Sequence, residues 1–353
     1  MIIALDAMGG DNAPDINIIG ARDALARFPS IKGILLVGDE ETLKESCSRN
    51  NLDDPRATIV HAPEVVTMND SGARSIRRKK KSSIAVATDL VKSGEAQAVV
   101  SAGNTGAAVA AATIKLRLLK GVDRAGIASP LPNEHGVCNV LDAGANPEAK
   151  PHHLATYAIM GSVYTKKVLG VDRPVVGIMS NGEEDEKGNT LTKETLTLLK
   201  NMVDSGRAHF DFRGNVEGHD LFETRLDVCL CDGFTGNVVL KTTEGTAKAM
   251  SKWLKSEFKR NPLRIIGALL SKGAFGSVKE RTNYETYGGS PLLGVRGTVI
   301  ICHGSSSGLA ICNALNAAVK AVENEVNPEI ENALQELPLP KEGDITSSPE
   351  SQP

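Results

Sequence analysis

The sequence predicts an α/β protein: a Rossmann-like, largely parallel sheet with helices on both faces. Three observations predict it. Short apolar runs of strand length alternate with helical patterns through most of the 353 residues. Several of those runs end in polar, glycine-bearing turns that open straight into a helix. The chain is also 41% hydrophobic, enough for a large core.

The elements follow in order. A strand is expected at 2–5, ending in the turn DAMGGDNAP, where Pro14 suits a helix start, and a helix at 16–28. Strands at 33–37 and 57–61 precede a helix at 83–93, and a strand at 96–101 feeds an alanine-rich helix at 107–119. Strands at 126–129 and 137–141, a helix at 152–169, a strand at 175–179 and a helix at 192–202 continue the rhythm. The last members are a strand at 227–231, a helix at 237–258, a strand at 297–301 and a helix at 308–326. No internal repeat or linker divides the chain, so 1–337 is expected as one large α/β catalytic domain or two lobes sharing a cleft. Residues 338–353 turn to Pro, Lys, Glu, Gly, Ser and Thr and are expected to form a disordered tail.

Composition narrows the function. A net charge of −3 with balanced acids and bases, and only 3% aromatics, argue against nucleic-acid binding. The six cysteines lie mostly in apolar runs without a CxxC pair, which reads as reduced cytosolic thiols and neither a disulfide frame nor a zinc site. The chain opens on a core strand, leaving no room for a signal peptide, and no run approaches the roughly 18 apolar residues of a membrane span.

The most informative turn is 97–107, QAVVSAGNTGA. A strand feeding a helix through glycines gathers orphan N–H groups at the positive end of the helix dipole, which favours an anion. Ser101, Asn104 and Thr105 add side-chain donors, while Gly103 and Gly106 allow close approach. A tight β-to-α connection is the competing reading for any one such turn. Similar strand ends at Asp6, Gly9, Gly10 and Asp11, at Asp142 and Asn146, at Asp232 and Asn237, and at Glu183 and Glu184 suggest one cleft lined by several. Lys187 and His303 are candidates for oxyanion or leaving-group stabilisation, although a structural histidine is the alternative. Glu183 to Glu186 reads as a solvated acidic loop, and no metal or organic cofactor is expected. Inorganic phosphate is itself a nucleophile near neutral pH, so an enzyme joining it to an acyl group would mainly orient it.

Two segments break the α/β rhythm. Arg74, Arg77, Arg78, Lys79, Lys80 and Lys81 fall within eight positions, either a solvated face or a docking patch for an acidic partner. Near 250–285 a helical amphipathic excursion, with Pro262 and Gly267 read as interruptions, mixes basic residues with Leu263, Ile266, Leu270 and Phe275. It suits packing on the core or a dimer interface, or an anionic membrane surface.

The motifs 5–11 LDAMGGD, 73–83 ARSIRRKKKSS, 100–107 VSAGNTGA, 141–146 LDAGAN, 158–162 AIMGS, 182–184 GEE, 231–238 CDGFTGNV, 287–289 YGG and 294–297 GVRG resemble the bacterial phosphate acyltransferases of phospholipid synthesis, the PlsX family. The match runs in order from Ile2 to about Val322. The resemblance implies transfer of a long-chain acyl group from acyl-carrier protein to inorganic phosphate, giving acyl phosphate. It also implies a fold similar to isocitrate and isopropylmalate dehydrogenases, a homodimer, and delivery of product to a membrane glycerol-3-phosphate acyltransferase. With it, the basic run becomes a site for the acidic carrier protein and the amphipathic excursion a peripheral attachment to the inner face of the cell membrane. Ser180-Asn181 stand where the family usually reads Asn-Ile. The rivals are a decarboxylating-dehydrogenase-like enzyme, which needs an Arg cluster and an Asp triad not found here, and a non-catalytic membrane scaffold.

Overall fold

The computed structural model describes residues 1–281 and 284–337, so the expected tail at 338–353 lies outside the described residues. The chain runs β1 (Ile2–Asp6), α1 (Asp15–Arg27), β2 (Gly33–Gly38), α2 (Glu40–Arg49), β3 (Ala57–His61), α3 (Gly72–Arg78), α4 (Ser83–Ser93) and β4 (Ala98–Ser101). It continues through α5 (Thr105–Ala111), extended by a π-helical turn to Leu116, β5 (Gly126–Asn133), β6 (Gly136–Leu141), α6 (Pro151–Tyr164), similarly extended to Leu169, β7 (Val175–Met179) and α7 (Thr190–Asp204). Then come β8 (Asp211–Val216), α8 (Asp220–Glu223), β9 (Val228–Leu230), α9 (Gly233–Phe258), α10 (Pro262–Leu270) and α11 (Lys272–Arg281). The last elements are β10 (Ser290–Leu293), β11 (Thr298–Ile301), α12 (Gly308–Glu323) and α13 (Val326–Glu336).

One sheet holds eleven strands in the order β3-β2-β1-β4-β11-β10-β5-β6-β9-β7-β8. The largely parallel α/β arrangement is as the sequence predicts, with one refinement. β3, β2, β1, β4 and β11 are mutually parallel, as are β6, β9, β7 and β8, but β10 and β5 join the two sets through antiparallel pairs. Three antiparallel junctions in succession reverse the direction, so the two parallel sets point oppositely. The register brings their carboxyl ends together. Ser101 pairs with Ile301 and Ile301 with Ser290, while Leu141 pairs with Ala128, next to the Ile127 that pairs with Leu292. Ligands in open α/β sheets bind where strand order switches, and here that place is the β10–β5 seam.

Local sequence explains the packing around the seam. α1 lies on α12 because Gly20 and Gly308 remove two side chains; a Cβ on Gly20 would sit 2.5 Å from Ile311 Cβ. α6 is buried at nearly every position, including Leu154, Tyr157 and Met160, which fits its apolar sequence on all faces. Truncating such a fully buried side chain costs roughly 2–5 kcal/mol.

β8, where the sequence pattern predicts no strand, is a polar edge strand (DFRGNV) that pairs with β7 alone among the described residues. The pattern expected to run unbroken from 308 to 326 stops at Asn324, and Glu325, at φ 53°, starts α13 in a new direction. In the amphipathic excursion, Pro262 opens α10 as its first residue, whereas Gly267 lies inside that helix and does not interrupt it.

Candidate active site

A cavity of about 1110 Å³ opens at the β10–β5 seam. Its polar end is formed by Thr105 and Gly106 at the start of α5, Ala143 and Gly144 after β6, and Asn237 in the first turns of α9. Cys302, His303 and Ser306 after β11 complete it.

The Thr105–Gly106 loop is held by its neighbours. Asn104 caps α5, its side-chain oxygen accepting from the Ala107 N–H at 3.0 Å. Its amide nitrogen donates to the carbonyls of Asp70, Met68 and Thr67 at 2.9, 3.2 and 3.3 Å. This corrects one expectation: the Asn104 side chain is spent on bracing the 67–70 loop, and Asn104 does not line the cavity. Ser101 is also turned away, donating to Asp6 at 2.6 Å while accepting from the Gly103 N–H at 3.1 Å. Asp6 is buried, which raises its pKa against the opposing bond from Ser101. Gly9 and Gly103 meet there, since a Cβ on Gly9 would lie 2.7 Å from Gly103 N. Asp11 N–H donates to Gly304 O at 2.8 Å, tying the β1 loop to the β11 loop. Asp6, Gly9, Gly10 and Asp11 therefore form a supporting layer behind the cavity.

The opposite wall follows the same logic. The buried Asp142 carboxylate accepts from Ile127, Gly144 and Ala145 N–H through one oxygen, at 2.9 to 3.0 Å, and from Asn146 N–H through the other at 2.6 Å. Burial raises its pKa and these four bonds oppose the rise. Asn146 reaches Tyr157 OH at 3.3 Å, and its carbonyl accepts from Gly233 N–H. Asp232 is the N-cap of α9, accepting from Thr235 N–H at 2.8 Å. Asp142, Asn146 and Asp232 thus shape the loops, and Asn237 alone among these candidates faces the cavity.

His303 does line the cavity, and it is not isolated. Its Nε2 lies 3.0 Å from Lys241 Nζ, and its Nδ1 lies 2.7 Å from Ser305 Oγ and 3.1 Å from Ser305 N. Lys241 also pairs with Glu244 at 3.1 Å. An imidazolium would have no lone pair for the Ser305 N–H and would face the Lys241 charge. Burial, first, and Lys241, second, lower the His303 pKa, against the opposing pull of the Glu244 carboxylate 3.9 Å from its Nε2.

Residues 1–329 match the model of a family described as fatty acid synthesis protein. A phosphate acyltransferase of Akkermansia muciniphila is 60% identical over 337 residues, spanning 96% of this chain and 97% of the relative. The chain belongs to the phosphate acyltransferase family. Another such enzyme, from Geotalea uraniireducens, is 48% identical over 336 residues, covering 95% of both chains. Among solved structures, a phosphotransacetylase from Streptococcus pyogenes superposes with a TM-score of 0.58 at 16% identity, covering 92% of this chain and 94% of that one. A branched-chain phosphotransacylase from Enterococcus faecalis gives 0.54 at 14%, covering 91% and 99%. These two share the fold.

Other residues singled out in the sequence lie off the cavity. Lys187, Glu183 and Glu184 sit on the 180–189 loop after β7, which does not line it. Asn181, in the dipeptide that departs from the family pattern, closes that loop by accepting from Gly188 N–H at 2.8 Å. Glu183 lies 3.9 Å from Arg213, which also approaches Asp220 at 3.6 Å. In the basic run, Arg74, Arg77, Arg78, Lys80 and Lys81 are exposed. Lys79 differs from the other members of the run: it is half-buried and bonded to Asp70 and to Val65 O at 2.8 Å. That pairing holds the Asp70 pKa at about 2. The run borders the anion loop, because α3 packs on α5 where a Cβ on Gly72 would be 2.3 Å from Gly106.

Sequence reasoning missed Lys241 and Glu244. A signal was available: Asn237, Lys241, Glu244 and Lys248 recur at helical spacing after the CDGFTGN turn, placing them on one face.

Proposed function

We propose that the chain transfers an acyl group from an acyl-carrier-protein thioester to inorganic phosphate, releasing acyl phosphate and free carrier thiol. One observation carries this reading: a single cavity joins an anion-favouring polar end to an apolar floor of Ile127, Leu131 and Leu240. Phosphate would lie against the Thr105 and Gly106 N–H groups, with Asn237 and Lys241 facing it. A phosphate oxygen attacks the thioester carbonyl carbon, and the C–O bond forms as charge builds on the carbonyl oxygen. Collapse breaks the C–S bond and expels a thiolate. A leaving thiol with a pKa near 8.5 needs little protonation, so positioning and charge stabilisation suffice. Lys241 supplies positive charge there, held by its bond to Glu244 at 3.1 Å.

The remaining roles belong to the same proposal. The exposed cations from Arg74 to Lys81, beside the anion loop, suit an acidic carrier protein delivering its thioester arm. α10 buries none of its residues, and Leu263 and Leu270 are 78% and 84% exposed. Among the described residues no helix is long and apolar enough to cross a membrane. A peripheral, cytoplasmic enzyme that touches an anionic membrane surface, and that pairs as a homodimer, fits these features. The acyl phosphate would then pass to a membrane glycerol-3-phosphate acyltransferase. The deciding experiment incubates purified protein with acyl-carrier protein and phosphate and scores acyl phosphate. Its formation only when phosphate is present supports the reading; hydrolysis to free acid, or no turnover, overturns it.

A further inference from the structure

We propose that the groove along the β5–β6 hairpin is the acyl-chain site and measures the chain, accepting roughly twelve to eighteen carbons. The inference rests on the acyl-transfer reading above. The cavity does not end at the polar loops but follows β5 from Ile127 through Ser129 and Leu131 to Asn133 at the hairpin end. Those alternate residues share one face of the strand, as the period of two requires. α9 roofs that face: Leu240 packs against the clusters containing both Ile127 and Leu131, and Ala247 lines the cavity beyond it.

Both ends are fixed. At the reacting end, Ala143 N–H donates to Ile127 O at 2.9 Å, and Ser290 bonds Ser129 at 3.3 Å while pairing with Ile301, two residues before His303. At the far end, Glu134 N–H donates to Phe222 O at 2.8 Å and Asn133 donates to the carbonyls of Leu221 and Thr224, so α8 closes the hairpin. Phe222 lines the cavity there.

The length follows from the strand. Ile127 to Asn133 is six residues, about 20 Å, and Ser129 to Asn133 is four, about 13 Å. An extended chain advances about 1.15 Å per bond, since a residue contributes three bonds to roughly 3.3–3.6 Å, so these distances accommodate about 11 to 17 bonds. A second occupant of similar girth, the carrier's thioester arm, does not change with acyl length, which separates the two by experiment.

The test compares kcat/KM for sixteen-carbon and eight-carbon acyl groups on the same carrier protein. Ala247→Trp, at an exposed position on α9, narrows the groove without disturbing the core. It should lower the sixteen-to-eight ratio about tenfold, in line with pocket discrimination of a few methylenes. Phe222→Ala should raise the ratio of eighteen- to twelve-carbon groups. Calorimetric titration with the two free fatty acids reads the same site without turnover, and Ala247→Trp should weaken only the sixteen-carbon acid. A uniform fall across chain lengths would assign the groove to the thioester arm and overturn the proposal, as would unchanged ratios. If the wild-type protein forms no acyl phosphate, the transfer reading fails separately, and the fatty-acid titration still decides the groove.

Discussion

Replacing Asn104 distinguishes two roles that the sequence does not separate. The carboxamide makes one N-cap bond to Ala107 and donates to three carbonyls of the 67–70 loop. Losing an Asn cap costs about 1 kcal/mol, and the one short bond, to Asp70 O, is worth about 1 kcal/mol more. Asn104→Ala should therefore lose about 2 kcal/mol. With an unfolding entropy of roughly 2.1 cal/mol/K per residue over this length, that lowers Tm by about 3 °C. Because the 67–70 loop backs the Thr105–Gly106 turn, KM for phosphate should rise together with the fall in Tm. Asn104→Asp keeps the cap acceptor but exchanges the donors for a charge beside an anion site, so it should raise KM for phosphate further than Ala does. Calorimetric melting and phosphate-dependent kinetics on both variants provide the measurements. A direct oxyanion donor behaves otherwise: its loss costs on the order of 100-fold in kcat and leaves stability alone. An Asn104→Ala protein with unchanged Tm and a pure kcat defect of that size would refute the bracing role.

Three further outcomes are expected. Reversing Arg77, Arg78 and Lys80 to Glu should raise KM for the carrier-bound substrate and flatten its salt dependence, since attraction between exposed charges is screened beyond about 8 Å at physiological ionic strength; unchanged carrier kinetics at low salt would return the run to a solvated face. Leu263→Glu with Leu270→Glu should abolish co-sedimentation with anionic vesicles while Tm stays put, because α10 buries nothing in the described chain; unfolding or dissociation of a dimer would make the segment an interface instead. For His303, burial and Lys241 set the pKa below its ordinary 6.5. If the neutral ring is needed, activity should persist as pH falls through the usual histidine range and fail only below the lowered pKa. Lys241→Met removes one depressing cause, so the acid limb of the kcat/KM profile should move to higher pH, and an unmoved limb would show that His303 does not report there.

What the sequence discloses, and what it hides, has a common physical origin in this fold. Strand ends are legible because apolar runs, glycines and cap residues are local signals, and β1, β4, β6 and β9 all lie where those signals put them. Which side of a turn a residue faces is not local. Ser101 and Asn104 carry the chemistry expected of anion ligands, yet the backbone turns them toward Asp6 and the 67–70 loop, where they donate to a buried carboxylate and to loop carbonyls. The reversal of strand direction at β10 and β5 is equally invisible, since it depends on pairing between segments about 160 residues apart; the Ser129–Ser290 bond spans 161. That reversal decides which turns share the cavity. It brings the ends of β4, β6 and β11 together and leaves the acidic 180–189 loop after β7 outside. Lys241 shows the converse case: its place was encoded by helical spacing from Asn237, but its meaning depends on His303, 62 residues later in the chain and 3.0 Å away. Residues that support a site and residues that touch its ligand therefore share one local vocabulary, and only the long-range register separates them.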